Sequence, residues 1–513
     1  MGPSQPLILA LDQGTTSSRA IAFDHDARPV AAAQREIKQS YPAPGHVEHD
    51  PEEIWATQLE VAREVIGTVG GPERILAIGI ANQRETTIVW ERATGSAVAP
   101  AIVWQSRVTA PFCDQLRREG HEPSIRASTG LRLDPYFSGP KVRHILRETG
   151  RQKDAERGAL AFGTVDAFLV SRLTGGRVHA TDVSNASRTL MLDLQTRAWN
   201  ADLVELMEIP PPVLPEVRPS SEVWAETEPA LFGRPIRIAG VAGDQQAAMF
   251  GQACFAPGEA KNTYGTGAFL LMNTGDRPVP SSHGLLTTIL WQLGAGGPTS
   301  YALEGSVFVA GAAVQWIRDG LRAIHSSADV EALARDAAGP GGIYLVPAFV
   351  GLGAPHWDPR ARGLLIGLTR GTGLPEIARA AVDSMAYQVS EVAHAMSEDA
   401  GRQLEVLRVD GGAAANDALL AFQADLLGLP VRRPAVVETT ALGAAFLAGL
   451  GVGFWRNLDE VRERCRHERQ FEPGIDGEER DRLMRGWRRA VERAKGWDET
   501  DLMGPMMRDG DGN

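Results

Sequence analysis

Three glycine-rich segments carry the residue types that hold phosphate. Asp12-Gln13-Gly14-Thr15-Thr16-Ser17-Ser18-Arg19 lies between two short apolar runs, Leu7 to Leu11 and Arg19 to Phe23. That placement predicts a hairpin turn whose backbone N–H groups and hydroxyls face an anion, with Arg19 adding charge and Asp12 able to hold a metal. Lys261 to Leu270, KNTYGTGAFL, repeats the design, with apolar flanks around Gly265-Thr266-Gly267. The third segment, RVDGGAAAND from Arg408 to Asp417, reads as a strand that ends in two glycines and opens into a helix, where a base or ribose can approach the backbone closely. Taken singly, each is matched by a bland alternative: a polar hairpin, or a strand-to-helix turn with Asn416 or Asp417 as cap. Three together argue for phosphate. The commoner phosphate loop GxxxxGK[ST], the dinucleotide fingerprint GxGxxG, HExxH and GxSxG are all absent from the sequence.

The elements that position these turns alternate between strand and helix periods. Arg74 to Ala81 reads as a strand, and Pro51 to Val69 has helical spacing through Ile54, Leu59, Val61, Val65 and Ile66. In the second half Ala268 to Met272, Ile343 to Pro347 and Leu407 to Val409 read as strands, and Ile377 to Met396 as a helix. The mixture predicts an α/β protein. Two domains are the simplest division, 1–252 and 253–513, with proline-rich Ile209 to Pro219 as a loop. Thr439 to Trp455 is uncharged but shorter than the roughly 20 apolar residues of a membrane span, so it predicts a buried helix. The basic, amphipathic stretch from Glu478 to Trp497 predicts a terminal helix docked on its own domain.

Composition narrows the class. In 513 residues, 52 Lys and Arg stand against 64 Asp and Glu, a net charge of −12, which argues against broad electrostatic binding to nucleic acid or an anionic membrane. Cys113, Cys254 and Cys465 are too far apart for a CxxC or zinc pattern, and the start has no signal-peptide character; the chain reads as reduced and cytoplasmic.

DQGTTSSR, AGDQQAA from Ala242, YGTG from Tyr264, GLGAPHWDPRARG from Gly351 and DGGAAAND from Asp410, in this order, resemble the FGGY family of carbohydrate kinases over nearly the whole chain. The resemblance implies two ribonuclease H-like domains of the actin and hexokinase type, with ATP and an acceptor alcohol in the cleft between them. GIANQRETT from Gly79, VWQ from Val103, DPYFSG from Asp134 and VEHDPEEIWATQ from Val47 imply, within the family, glycerol as acceptor and sn-glycerol 3-phosphate as product. Asp244 matches the family's catalytic aspartate, which accepts the proton of the attacking hydroxyl; as a bare sequence feature it also reads as a helix N-cap. Arg84 and Glu85 would bond the acceptor's hydroxyls, Trp104, Tyr136 and Phe269 would cover its carbons, and Gln245 would lie beside it. Thr15, Thr16, Ser17 and Arg19 are implied on one side of the phosphates, Thr266 and Gly267 on the other, and Gly411, Gly412 and Asn416 toward the adenosine, with Gly311 and Gln315 also implied in binding ATP. Mg²⁺ would bridge phosphate oxygens with help from Asp12 and Asp244. A homo-oligomer, dimer or tetramer, is likewise implied.

Departures from the family pattern fall outside the proposed catalytic groups. His356-Trp357-Asp358-Pro359 replaces YWDP, and Lys141-Val142-Arg143-His144 replaces K-x-x-W. Members inhibited by fructose 1,6-bisphosphate carry a glycine-rich loop where this chain has Glu226 to Pro235 with Gly233 as its one glycine, which implies weak or absent inhibition. No histidine lies between Glu222 and Gly243, so activation by histidine phosphorylation there is not expected. Two other readings share the phosphate turns: a pentulose or other polyol kinase, and an actin-like ATPase without a small acceptor.

Overall fold

The computed structural model describes residues 5–337, 339, 342–465 and 467–498. The first apolar run forms strand β1 (Leu7–Gln13), buried along nearly its whole length. A strand apolar on both faces needs cover on both, and this requirement organises the N-terminal half. The chain turns back through Gly14 into β2 (Ser17–Phe23) and β3 (Pro29–Glu36). Helix α1 (Pro51–Thr68) starts where the Asp50 side chain accepts the N–H of Glu52, and it turns Ile54, Val61, Val65 and Ile66 inward. β4 (Ile75–Asn82), β5 (Ser221–Glu226) and β6 (Arg237–Gly243) complete a six-stranded sheet in the order β5-β6-β4-β1-β2-β3. β1, β4 and β6 are parallel; the others run antiparallel to their neighbours. β6 runs directly into α2 (Asp244–Gly251).

The second half repeats the scheme. β7 (Ala260–Tyr264), β8 (Ala268–Gly275), β9 (Leu286–Gln292) and β10 (Thr299–Val307) form an antiparallel group. After the long helix α3 (Leu374–Ala400) come β11 (Leu407–Asp410), helix α4 (Asp417–Leu427), β12 (Val431–Pro434), helix α5 (Thr439–Gly451), β13 (His467–Phe471) and helix α6 (Gly477–Ala494). The sheet order is β9-β10-β8-β7-β11-β12-β13, with β7, β11 and β12 parallel. Both sheets therefore set an antiparallel hairpin beside two parallel strands and close with an antiparallel edge, as the expected ribonuclease H-like pair requires.

Helix α5 packs chiefly on the N-terminal sheet rather than on the sheet of its own half. Ala441, Ala444, Phe446 and Ala448 join Ile8, Ala10, Ala77 and Ala242 of the N-terminal sheet, together with Ala247 and Phe250 of α2, in one core. A helix apolar all round must be covered all round, and here it is wedged between two domains. The fit is tight: a Cβ on Gly443 would stand 1.8 Å from the Ala247 carbonyl oxygen, so only glycine allows α5 and α2 to touch backbone to backbone.

Helix α6 buries Leu483, Trp487 and Val491 in the C-terminal core, with Trp487 stacked on Tyr387 at 5.1 Å, and exposes Arg482, Arg485, Arg488, Arg489 and Arg493 while Arg480 is half-buried. The proline-rich stretch is less irregular than its sequence suggests. Glu216–Arg218 forms a short strand along Ala180–Asp182, because its three residues between prolines keep their backbone donors. Among the described residues no helix is long and apolar enough to cross a membrane.

Candidate active site in the interdomain cleft

Arg84 and Glu85 sit in the turn after β4, where the chain leaves the sheet for an insertion around a small four-stranded sheet. Glu85 has φ 60, a left-handed conformation uncommon for glutamate. Three donors hold it there: Thr87 Oγ1 (3.0 Å), Ser138 Oγ (3.1 Å) and Lys141 Nζ (3.2 Å) all donate to its carbonyl. DPYFSG thus has a structural task as well as a chemical one. Asp134 Oδ1 accepts the Tyr136 N–H at 2.9 Å and so fixes the aromatic ring, and Ser138 braces Glu85.

The charges around Arg84 form a closed network. Its guanidinium donates from Nη1 (2.6 Å) and Nη2 (3.0 Å) to the two oxygens of Glu304 on β10, a bidentate pair joining the domains. Arg188 donates to the same Glu304 (3.0 Å) and to Glu85 Oε1 (2.6 Å). Arg84, Arg188, Glu85 and Glu304 are all at most 3% exposed. Burial works against ionisation of Glu304, yet Arg188 and Arg84 hold it down to about 2. Glu85 moves the other way, raised by burial despite Arg188 and Arg84. Burial first, with Arg107 adding to it, brings Lys141 down to about 7 although Glu85 and Asp134 oppose.

Asp244 is the first residue of α2, and the cap position belongs to Gly243. Its Oδ1 accepts the N–H of Gln245 (2.7 Å) and lies 3.4 Å from Arg84 Nε. With its side chain 30% exposed, it is the carboxylate of this group that opens to the cleft. Burial raises its pKa above the ordinary aspartate value while Arg84 opposes, which favours a proton acceptor. Asp12, at the end of β1, is pushed up to about 6, by burial first, with Arg19 opposing and the Asp244 carboxylate adding to the rise.

Three rings line the space beside Asp244 and Arg84. Trp104 packs edge-on against Tyr136 (5.7 Å) and Phe269 (6.3 Å), and Tyr136 OH accepts from Arg84 Nη2 (3.4 Å). Trp104 Nε1 donates to Thr15 Oγ1 at 2.9 Å, tying this aromatic box to the first phosphate turn. In that turn Gly14 N–H donates to the Ser17 carbonyl, leaving Thr16 exposed. Arg19 turns toward the other half: it pairs with Glu438 and donates to Gln34 Oε1 (2.7 Å).

The facing turn is made of backbone. Ala310 and Ala312 donate to the Thr266 carbonyl, and Gly311 to that of Gly265, which folds Gly265-Thr266-Gly267 against the short helix Gly311–Gln315. Gln315 ends this helix with its side chain exposed. Gly411 follows β11 with φ 85, and a Cβ there would meet the Tyr264 carbonyl oxygen at 2.4 Å. Gly412 has open space around it, and Asn416 caps α4 by accepting the Leu419 N–H. Gln245 Oε1 accepts from buried Lys261 Nζ at 2.6 Å.

The structure therefore gathers Arg84, Glu85, Trp104, Tyr136, Asp244, Phe269 and Thr15 around one cleft. The Gly265 to Gly267 turn joins β7 to β8 next to Phe269, and Gly411 packs on Tyr264 beside it, while Arg19 and Asn416 spend their side chains on protein partners. Sequence reasoning missed Glu304, Arg188 and Lys261. A carboxylate inside the apolar strand YALEGSV was the available signal for Glu304; Arg188 had none. Among the described residues no group of three or more His, Cys, Asp and Glu side chains forms a metal cluster.

Fold and cleft are those of a two-domain phosphotransferase, and the chain belongs to the FGGY family of carbohydrate kinases, whose N- and C-terminal domain models match residues 7–251 and 260–452. It is 58% identical over 492 residues to the glycerol kinase of Symbiobacterium thermophilum, covering 96% of this chain and 98% of that protein. It is 56% identical to the glycerol kinase of Carboxydothermus hydrogenoformans, at 96% and 98% coverage. The crystal structure of Plasmodium falciparum glycerol kinase with ADP superposes with a TM-score of 0.89 at 34% identity, covering 96% of this chain and 98% of that one. Ligand-bound xylulose kinase from Lactobacillus acidophilus shares the fold, with a TM-score of 0.85 at 21% identity, 95% of this chain and 97% of that one being covered.

Proposed function

We propose that this enzyme transfers the terminal phosphoryl group of ATP to glycerol, giving sn-glycerol 3-phosphate and ADP. The observation that carries the reading is the small box at Asp244: a partly open carboxylate beside a buried guanidinium, walled by Trp104, Tyr136 and Phe269. A three-carbon triol offers apolar edges for the rings and hydroxyls for Arg84 and Glu85. Relatives more than half identical over nearly their whole length are named glycerol kinase, which supports the same acceptor.

In this mechanism Asp244 Oδ accepts the proton of the attacking hydroxyl as the oxygen approaches the γ-phosphorus, roughly in line with the departing ADP oxygen. Arg84 and Glu85 hold the other hydroxyls, so the reacting oxygen is presented in one orientation. The Glu304 link between the halves holds Arg84 at the cleft and helps exclude water, which would otherwise compete as nucleophile. Thr15 and Thr16 on one side and the Gly265 to Gly267 turn on the other bind the phosphates, and Gly411 and Gly412 leave room for the adenosine. The Asp244 carboxylate adds to the rise in the pKa of Asp12, so the two lie close enough to share a divalent cation. They would hold Mg²⁺, which when bound offsets charge on the polyphosphate.

The test is ADP release from MgATP with no acceptor, glycerol, xylulose, ribulose or erythritol. Strong stimulation by glycerol is expected. A pentulose that stimulates more strongly would reassign the box, and release indifferent to any acceptor would turn the reading to an ATPase.

A further inference from the structure

At the far end of α2 from Asp244 lies a second cavity, of about 390 Å³, walled by both halves of the molecule. Its size is that of a small-ligand site. Asp26 and Arg28, between β2 and β3, form one side, and Gly251 to Ala253 form the floor. Arg408 of β11, Arg432 of β12, and Arg462 and Arg464 form the other. Among the described residues, five arginines and a single carboxylate thus line one cavity in a chain of net charge −12.

Like charges so gathered repel unless something offsets them. Glu259 offsets part, accepting from Arg408 Nη2 (2.9 Å) and Arg462 Nη1 (2.8 Å). Asp26 is 3.7 Å from both Arg28 and Arg464, and Glu460, 3.9 Å from Arg464, is shared with Arg456. Among the described residues, Arg432 Nε reaches only the neutral Gln470, and Arg464 Nε is buried without a hydrogen-bond partner. Setting Asp26, Glu259 and Glu460 against the five leaves two guanidinium charges in excess.

We propose that this cavity binds a small phosphate-bearing anion of two or more negative charges, a phosphate ester or diphosphate, at a site separate from the catalytic cleft. The excess charge sets the ligand's charge, and planar guanidiniums on opposite walls suit phosphate oxygens. Occupancy also reaches the nucleotide side. Gln252 in the floor donates to Asp410 Oδ2 (2.8 Å), Thr439 bonds the same oxygen, and Asp410 leads into Gly411.

The experiment is calorimetric titration of pyrophosphate into the full chain, with MgADP and glycerol saturating and ionic strength fixed. One equivalent should bind to the wild type. Arg432→Gln and Arg464→Gln should each weaken it at least about tenfold, with unchanged basal turnover and melting temperature showing that both variants fold. Equal binding by wild type and both variants overturns the site, as does no binding up to about 10 mM or a heat reproduced by chloride at matched ionic strength. Reciprocally, pyrophosphate should shift ADP affinity in the wild type and not in Arg432→Gln; an identical shift in both overturns the link through Gln252.

Discussion

The two halves of this kinase share a sheet topology and divide the chemistry differently. The N-terminal half meets the cleft with side chains: Arg84 and Glu85 after β4, Asp244 after β6, and two aromatic rings from the insertion. In the proposed function the C-terminal half contributes chiefly backbone: Gly265 to Gly267 between β7 and β8, and Gly411 after β11. A small uncharged polyol offers only a few hydroxyls and must be caught by directed, charged groups. A nucleotide brings its own charge and surface, and bare N–H groups with room to approach suffice. In the proposed function the same scaffold serves both by changing what stands at the ends of equivalent strands.

The largest effect should come from the directed side. Asp244→Asn keeps the shape and the bond to Gln245 but removes the proton acceptor, and turnover should fall by about 10²- to 10⁴-fold while ADP affinity by calorimetry stays near wild type. Unchanged turnover would remove Asp244 from the role and break the contrast.

Next is the bridge between the halves. Glu304→Gln leaves two buried guanidiniums sharing a neutral amide, and loss of about 3–5 kcal/mol is expected by denaturant unfolding. The KM for glycerol should rise more than the KM for ATP, because Arg84 loses its anchor. Equal increases in both would mean that Glu304 serves the fold alone.

The backbone side is probed by Gly411→Ala. With φ 85 and a Cβ 2.4 Å from the Tyr264 carbonyl, the loop must shift, and the KM for ATP should rise several-fold with little change for glycerol. A change confined to glycerol would reverse the assignment of the two halves.

The smallest effect concerns Lys141, under the polyol side. Because burial lowers its pKa to about 7, above that pH the folded chain holds fewer protons here than the unfolded one. Stability must then rise with pH relative to a variant without the amine. The unfolding free energy of wild type minus that of Lys141→Met should grow as pH increases from about 7 through the alkaline range. A flat difference would place the ammonium in contact with water.

Much of the architecture was legible because it rests on local rules. The helix from Pro51 was readable from Asp50 as cap and Ile54, Val61 and Val65 as an apolar stripe, and the two phosphate hairpins from glycine and threonine between apolar runs. The buried charge network was not legible, since Arg84 and Glu304 are separated by 220 residues and Arg188 and Glu304 by 116. Ion pairs leave no period in a sequence.

The sequence by itself determined which turns can wrap an anion, which segments run as strands or helices, and which family pattern the chain follows; each depends on φ, ψ preferences and hydrogen bonds among near neighbours. Only the tertiary structure decided that Glu304 of the second half grips Arg84 of the first, that α5 crosses to cover the N-terminal sheet, and that five arginines converge behind α2. Coulomb attraction, burial and backbone contact depend on distance in space, and that distance exists only once the two sheets have packed.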